Sequence, residues 1–209
     1  MHLQTTDIEQ MDRIRRLNII NSVTGIKPAN LVGTRSPDGN SNLAIFSSVV
    51  HLGSNPPLLG MVLRPRTEVR RHTFENIEQL GVYTLNHVPV THVAPAHQTS
   101  AKYPREISEF EAVGFTEEYI EGFEAPFVQE SHLKLGLQLE EVIPIATNDT
   151  LLVIGRILHI IAPDGAFDDE GHLDLGQLGS AGISGLNSYY SLQKEAQFLY
   201  ARVGSFRDY

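Results

Sequence analysis

Apolar residues recur every three positions near the start of the chain, at Ile8, Met11, Ile14, Leu17 and Ile20. That spacing predicts an amphipathic helix over about 7–22, with Thr5 or Thr6 as its cap and Gly25 and Pro28 at its end. Beyond Pro28 the pattern becomes that of short strands. "ANLVGTR" reads as a strand, "SPDGNS" as a turn rich in Pro, Asp and Gly, and "NLAIFSSVV" as the strand that returns. "GSNPP" closes it, and "LLGMVL" is a further apolar strand. "RPRTEVRR" then predicts a polar loop, and "HTFENIEQLG" a short helix capped by Thr73 or His72 and stopped by Gly81.

After the strand "VYTLNHV", the stretch from Pro89 to Phe127 carries several prolines and a brief helix around "SEFEAVG". It predicts an insertion that covers one end of a sheet, a kind of segment that often lines a site. "HLKLGLQLEEVIPI" then alternates, with Leu133, Leu135, Leu137 and Leu139 on one face, and "LLVIGRILHIIA" answers it across the polar "ATNDT". Locally joined strand pairs dominate, so a parallel βαβ sheet is not expected. The pattern predicts a mainly β protein, a small antiparallel barrel over about 29–161 with peripheral helices. The tail, 162–209, holds an acidic turn, the glycine-rich "GQLGSAGISGLN" and a candidate final helix in "SLQKEAQFLYARV".

Two hydroxyls interrupt one apolar strand, at Ser47 and Ser48. A buried hydroxyl without a partner costs about 1–3 kcal/mol, so each should meet backbone, water or a ligand.

Composition narrows the classes. With 209 residues, 41% hydrophobic and 20% charged, and no long compositional shift, a single domain over 1–209 is expected. No run approaches the length of a membrane span, and the N-terminus mixes acids and bases without an uninterrupted apolar segment, so a soluble, cytoplasmic protein is expected. The absence of cysteine excludes disulfides, thiolate metal sites and a cysteine nucleophile. A net charge of −9 argues against nonspecific binding to nucleic acid or to an anionic membrane.

Against that acidic background, Arg64, Arg66, Arg70 and Arg71 place four of the sixteen Lys and Arg residues within eight positions, directly before a predicted helix start. Helix N-termini present unpaired N–H groups, and guanidinium forks match phosphate oxygens, so this is a candidate phosphate site; the alternative is a solvated basic loop. Distant carboxylates do not veto it, because charges beyond roughly 8 Å are largely screened at physiological salt. His87, His92 and His97 fall every five residues with Pro89 and Pro95 among them, and cannot share a helix face, so no metal site is predicted there. "DDEGHLD" misses calcium-loop spacing, and "GSAGISG" does not follow a predicted strand as a dinucleotide fingerprint must. No G-x-S-x-G elbow or H-E-x-x-H pair occurs, and no catalytic side chain is assigned.

In order and spacing, "NLAIFSSVVHLGSNPPLLGMVLRP", "RRHTFENIEQLGVYTLNHV", "SAKYPREISEFEAVGF" and "LVIGRILHI" resemble the FMN-binding split-barrel proteins of the flavin reductase type, over roughly Ala29 to Ile161. The resemblance implies a six-stranded antiparallel split β-barrel, usually a homodimer, with FMN at the subunit interface. It implies that Phe46, Ser47, Ser48 and Val49 run beside the flavin, and that Arg64, Arg70, Arg71, His72 and Thr73 help hold its phosphate. Lys102 and Tyr103 become candidates for the flavin edge or the nicotinamide side, while Tyr189 and Tyr190 are expected to pack in the core. Several reductases of the family carry a Gly-Asp-His element where this chain has Asn148, Asp149 and Thr150. The expected function is an FMN-dependent oxidoreductase taking hydride from NADH or NADPH and passing electrons to free flavin or another small acceptor. The Thr150 departure motivates an alternative, a flavoredoxin-like electron carrier without nicotinamide turnover. A third reading keeps the barrel with another cofactor, pyridoxal phosphate or haem.

Overall fold

The computed structural model describes residues 1–65 and 72–203. Among the described residues twelve strands are formed: β1 (Lys27–Pro28), β2 (Asn30–Arg35), β3 (Ser41–Phe46), β4 (Val49–Ser54), β5 (Pro57–Leu63), β6 (Val82–His87), β7 (Glu117–Ile120), β8 (Phe123–Val128), β9 (Lys134–Ile145), β10 (Thr150–Ile161), β11 (Ala181–Ser184) and β12 (Ser188–Ser191). The helices are α1 (Thr5–Gln10), α2 (Arg13–Ser22), α3 (His72–Leu80), α4 (Val93–Gln98) and α5 (Glu109–Val113). The main sheet is antiparallel, in the order β3-β2-β6-β9-β10-β5-β4.

Its two edge strands are consecutive in the chain, separated only by Ser47 and Ser48, so the sheet rolls until its edges meet there. If β3 and β4 are taken as one strand crossing that seam, the barrel has the six strands expected; the seventh arises because the serine-bearing run is two strands. The break has a cause in side-chain alternation. Phe46 and Val49 both pack against the interior cluster, yet they stand three positions apart, and an uninterrupted strand would turn one of them outward. The two serines absorb the mismatch. Ser48 Oγ donates to the Val62 carbonyl at 2.7 Å, and Val62 N–H donates to the Ser48 carbonyl at 3.4 Å.

Two faces organise the packing. The barrel interior holds Val32, Met61, Leu63, Tyr83, Leu85, Leu137 and Val153, plugged by Phe74 and Ile77 of α3. Gly81, with φ of +71°, ends that helix as its sequence predicts. Outside β2 and β3, Leu31 and Leu43 pack with Ala96, Phe110, Phe115 and Ile183, which come from the insertion and the tail. The β7–β8 hairpin is fastened across β2 and β6 by polar side chains: Thr84 Oγ1 donates to the Pro126 carbonyl at 2.6 Å, and Val128 N–H donates to Asn86 Oδ1 at 3.0 Å. The insertion therefore covers a face of the sheet, not only one end.

Three expectations are corrected. The N-terminal helix is two helices, because the Asp12 carboxylate accepts from Ile14 N–H and Arg15 N–H and starts a new one; Gln4, not Thr5 or Thr6, caps the first. Its apolar stripe is not buried, with Ile14 and Ile20 exposed. The tail forms β11 and β12, which join β1 in a separate three-stranded sheet, and residues 192–203 form no helix, with 193–203 exposed. A short helix without a face to bury is marginal in water.

Gly33 marks the tightest approach of the hairpin to the barrel: a Cβ there would lie 2.2 Å from the Pro126 carbonyl oxygen and 2.5 Å from Thr84 Oγ1. Gly33→Ala must push backbone apart, and a loss of about 1–3 kcal/mol is expected, read as a lower urea midpoint in circular dichroism. An unchanged midpoint would contradict the close packing of β8 on β2.

Candidate functional site

A cleft of about 930 Å³ opens beside the seam. Its volume falls within the range of roughly 300–1,000 Å³ typical of small-molecule sites. The end of β3 and the seam contribute Phe46, Ser47 and Ser48, and the end of β5 contributes Val62, Leu63 and Arg64. His72 and Thr73 come from the first turn of α3, and the loop after α4 brings Lys102, Tyr103 and Arg105. The structure thus gathers residues selected from three separate stretches of sequence.

Not every selected residue joins them. Val49 pairs with Met61 and packs into the barrel interior instead of lining the cleft. Arg66, Arg70 and Arg71 lie outside the described residues. Thr73 does not cap α3: it sits within the first turn, and its buried hydroxyl accepts from Asn42 Nδ2 at 3.1 Å. The serines divide their roles. Ser48 is bonded to backbone across the seam, whereas Ser47, half-buried in the cleft wall, has no hydrogen-bond partner among the described residues.

The lining is cationic although the chain as a whole is acidic. Arg64 and Lys102 are exposed at the cleft, and Arg105 is anchored to Glu75 of α3 at 3.3 Å. Ala44, Ile45, Phe46, Val62 and Leu63 supply apolar wall between these charges. Such a surface accepts a ligand with a flat apolar part and an anionic end.

Several lining residues had drawn no attention in the sequence. Glu109 is buried, faces the cleft, and accepts from Leu43 N–H at 3.0 Å; burial holds its carboxyl above the usual range, with the Leu43 bond opposing that shift. Asn21 of α2 and Ile183, Leu186 and Asn187 of the tail also reach the cleft. No local pattern marks these residues: α5 brings Glu109, α2 brings Asn21, and the β11–β12 hairpin brings Ile183, Leu186 and Asn187. The three spaced histidines do not converge: His87 Nδ1 meets Ser180 Oγ at 3.3 Å, His92 Nδ1 meets Thr91 Oγ1 at 2.9 Å, and His97 Nδ1 meets Tyr189 Oη at 3.0 Å. Tyr189 packs on the outer cluster as expected, but Tyr190 is exposed. Thr150 lies away from the cleft lining, its hydroxyl donating to Asn148 Oδ1 at 2.8 Å.

A rolled antiparallel sheet split at a serine seam, with a cationic cleft along it, defines a split β-barrel. Residues 26–177 match the flavin reductase like domain, and the chain belongs to that family. Among solved structures, it is similar to a Shewanella frigidimarina protein assigned as a flavin reductase with a split barrel domain, at 48% identity and a TM-score of 0.92, covering 96% of this chain and 100% of that one. It shares its fold with nitrilotriacetate monooxygenase component B of Bacillus cereus, at 19% identity and a TM-score of 0.83, covering 95% and 98% of the two chains. The same holds for the flavoredoxin of Desulfovibrio vulgaris, at 22% identity and a TM-score of 0.71, covering 87% and 93%.

The buried carboxyl gives a testable pH dependence. Because the folded-state pKa of Glu109 is raised above its ordinary 4.5, its contribution to stability is fully present below about that pH and is lost as pH rises through the folded value. Glu109→Gln keeps an acceptor for Leu43 N–H and removes the charge. The variant and the wild type should have similar stability near pH 4, and the variant should be the more stable at pH 7. Denaturant titrations across that window check this, and parallel curves would show the carboxyl to be unperturbed.

Proposed function

We propose that this chain binds FMN in the cleft and acts as a flavin reductase, taking electrons from NADH or NADPH and delivering them to free flavin or another small acceptor. The carrying observation is the convergence of the serine seam, Arg64, the first turn of α3 and the Lys102–Arg105 loop on one cleft, within a chain of the flavin reductase-like family. The donor set fits the cofactor. Arg64 and Lys102 offer cations for a phosphate, Ser47 offers a hydroxyl without a partner among the described residues for a ribityl or ring oxygen, and Phe46 and Val62 offer apolar contact for a flat ring system. Bound flavin would supply hydride acceptance and electron transfer, and the protein supplies position, electrostatics and exclusion of water. No side chain is required as an acid or base for the hydride step. Pyridoxal phosphate would satisfy the cations equally, but the family match favours a flavin over it and over haem.

Purified protein should take up FMN stoichiometrically, and its absorbance near the flavin band should bleach when NADH or NADPH is added anaerobically. Arg64→Ala combined with Lys102→Ala should weaken FMN binding at least about tenfold without loss of fold, since exposed substitutions cost little stability. Protein that remains colourless after incubation with FMN would sink the proposal. Bound FMN that stays oxidised in excess nicotinamide favours the electron-carrier reading.

The proposal includes a homodimer. Val50 and Leu52 are exposed and meet around Gly60, where a Cβ would lie 3.1 Å from Leu52 Cδ1 and 3.3 Å from Val50 Cγ2. Leu152 of β10 adjoins them and pairs with the exposed Ile143 of β9, so an apolar band crosses four strands of the barrel exterior. Its β5 member Gly60 is two residues from Val62 in the cleft wall, which supports a site bordered by the second subunit. Leu52→Asp should convert a dimer to a monomer in light scattering and reduce FMN retention. A wild-type monomer at micromolar concentration would refute the assembly.

A further inference from the structure

The end of α4 and the tail hairpin meet at a bond that the FMN reading does not use. His97, near the end of α4, lines the cleft, and its Nδ1 is 3.0 Å from Tyr189 Oη of β12. The rings meet edge-on, 5.8 Å apart at 86°. Tyr189 is held in turn by pairing with Ile183 and by packing on the outer cluster. Burial pushes its phenol up to about 12, so it remains a neutral donor at physiological pH. When the phenol donates to Nδ1, the imidazole proton is carried on Nε2, which has no protein partner among the described residues. In that arrangement the imidazole offers its Nε2–H, in a cleft that the tail residues Leu186 and Asn187 also line.

A lone Nε2–H donor is poorly matched to a phosphate, for which Arg64 and Lys102 are present, and well matched to a carbonyl oxygen. The cleft, about 930 Å³, lies near the top of the range of roughly 300–1,000 Å³ for one ligand, which leaves room for a second. We propose that His97, oriented by Tyr189, is the hydrogen-bond donor for a ring-conjugated carbonyl of the second ligand, the reactant that meets the flavin. The inference rests on the FMN reading. Two reactants carry this chemistry: the carboxamide of a nicotinamide, and a quinone acceptor.

The test uses FMN-loaded, oxidised protein titrated separately with NAD⁺, NADP⁺ and menadione, and followed by the change in flavin absorbance. His97→Ala should raise the Kd of at least one of these ligands about five- to tenfold, as loss of one hydrogen bond requires, while FMN affinity stays within about twofold. His97→Gln, which keeps an N–H near the Nε2 position, should recover most of that loss. Tyr189→Phe should give a smaller rise, because the ring remains but its orientation is no longer fixed. An effect on the nicotinamides alone identifies the carboxamide, and an effect on menadione alone identifies the acceptor. Unchanged affinities in His97→Ala, or a fall in FMN affinity of the same size, overturn the assignment. Wild-type protein that takes up no FMN overturns the FMN reading and this inference together, whereas normal FMN uptake with unaltered second-ligand binding overturns this one alone.

Discussion

The structure depends on how the chain closes the barrel within two residues. A sheet whose first and last strands are consecutive in sequence must hand the backbone from one edge to the other, and at that point neither strand has a continuous ladder partner. The pair formed by Ser48 Oγ with the Val62 carbonyl and by Val62 N–H with the Ser48 carbonyl satisfies groups that would otherwise be orphaned. A hydroxyl does what an apolar side chain there would not. The same step lets Phe46 and Val49 both face the interior, so the local break in alternation serves the core. Once the closure is fixed, the end of β5 lies beside the seam, and Arg64 follows directly from it.

The cleft is therefore a by-product of closure that the rest of the chain then decorates. Its cations do not reflect the sign of the protein, which carries −9 overall. They reflect local placement, and screening over roughly a Debye length lets a few exposed cations set the potential that a bound anion feels. Glu109 shows the complementary effect. Its carboxyl satisfies Leu43 N–H on the edge strand β3, and burial disfavours its charge.

Much of this arrangement was legible in the sequence, for identifiable reasons. The β9–β10 hairpin is written in the alternation of its leucines and the polar turn between them, and α3 and α5 are punctuated by Gly81 and Gly114, both with positive φ. The seam was visible only as an anomaly. Two serines in an apolar run signal an unusual environment, but an interruption does not say whether a strand has bent, slipped or met a ligand. The N-terminal helix was misread because a three-residue spacing says nothing of burial, and Asp12 is a capping residue hidden inside that period. Glu109, Asn21 and Asn187 escaped notice because long-range pairing, not local pattern, brings them to the cleft.

That division also separates what the fold conserves from what it can vary. Arg64 and Thr73 sit on elements tied to barrel closure, so altering them disturbs the part of the cleft nearest the seam. His97, Tyr189, Leu186 and Asn187 belong to the insertion and the tail, which pack on the outer face of β2 and β3 and share no strand with the barrel. Change in those segments can reshape the second half of the cleft without reopening the seam. Specificity for the second reactant is therefore to be sought in the periphery, and the bond between His97 and Tyr189, which joins its two parts at the cleft wall, is where that specificity is set.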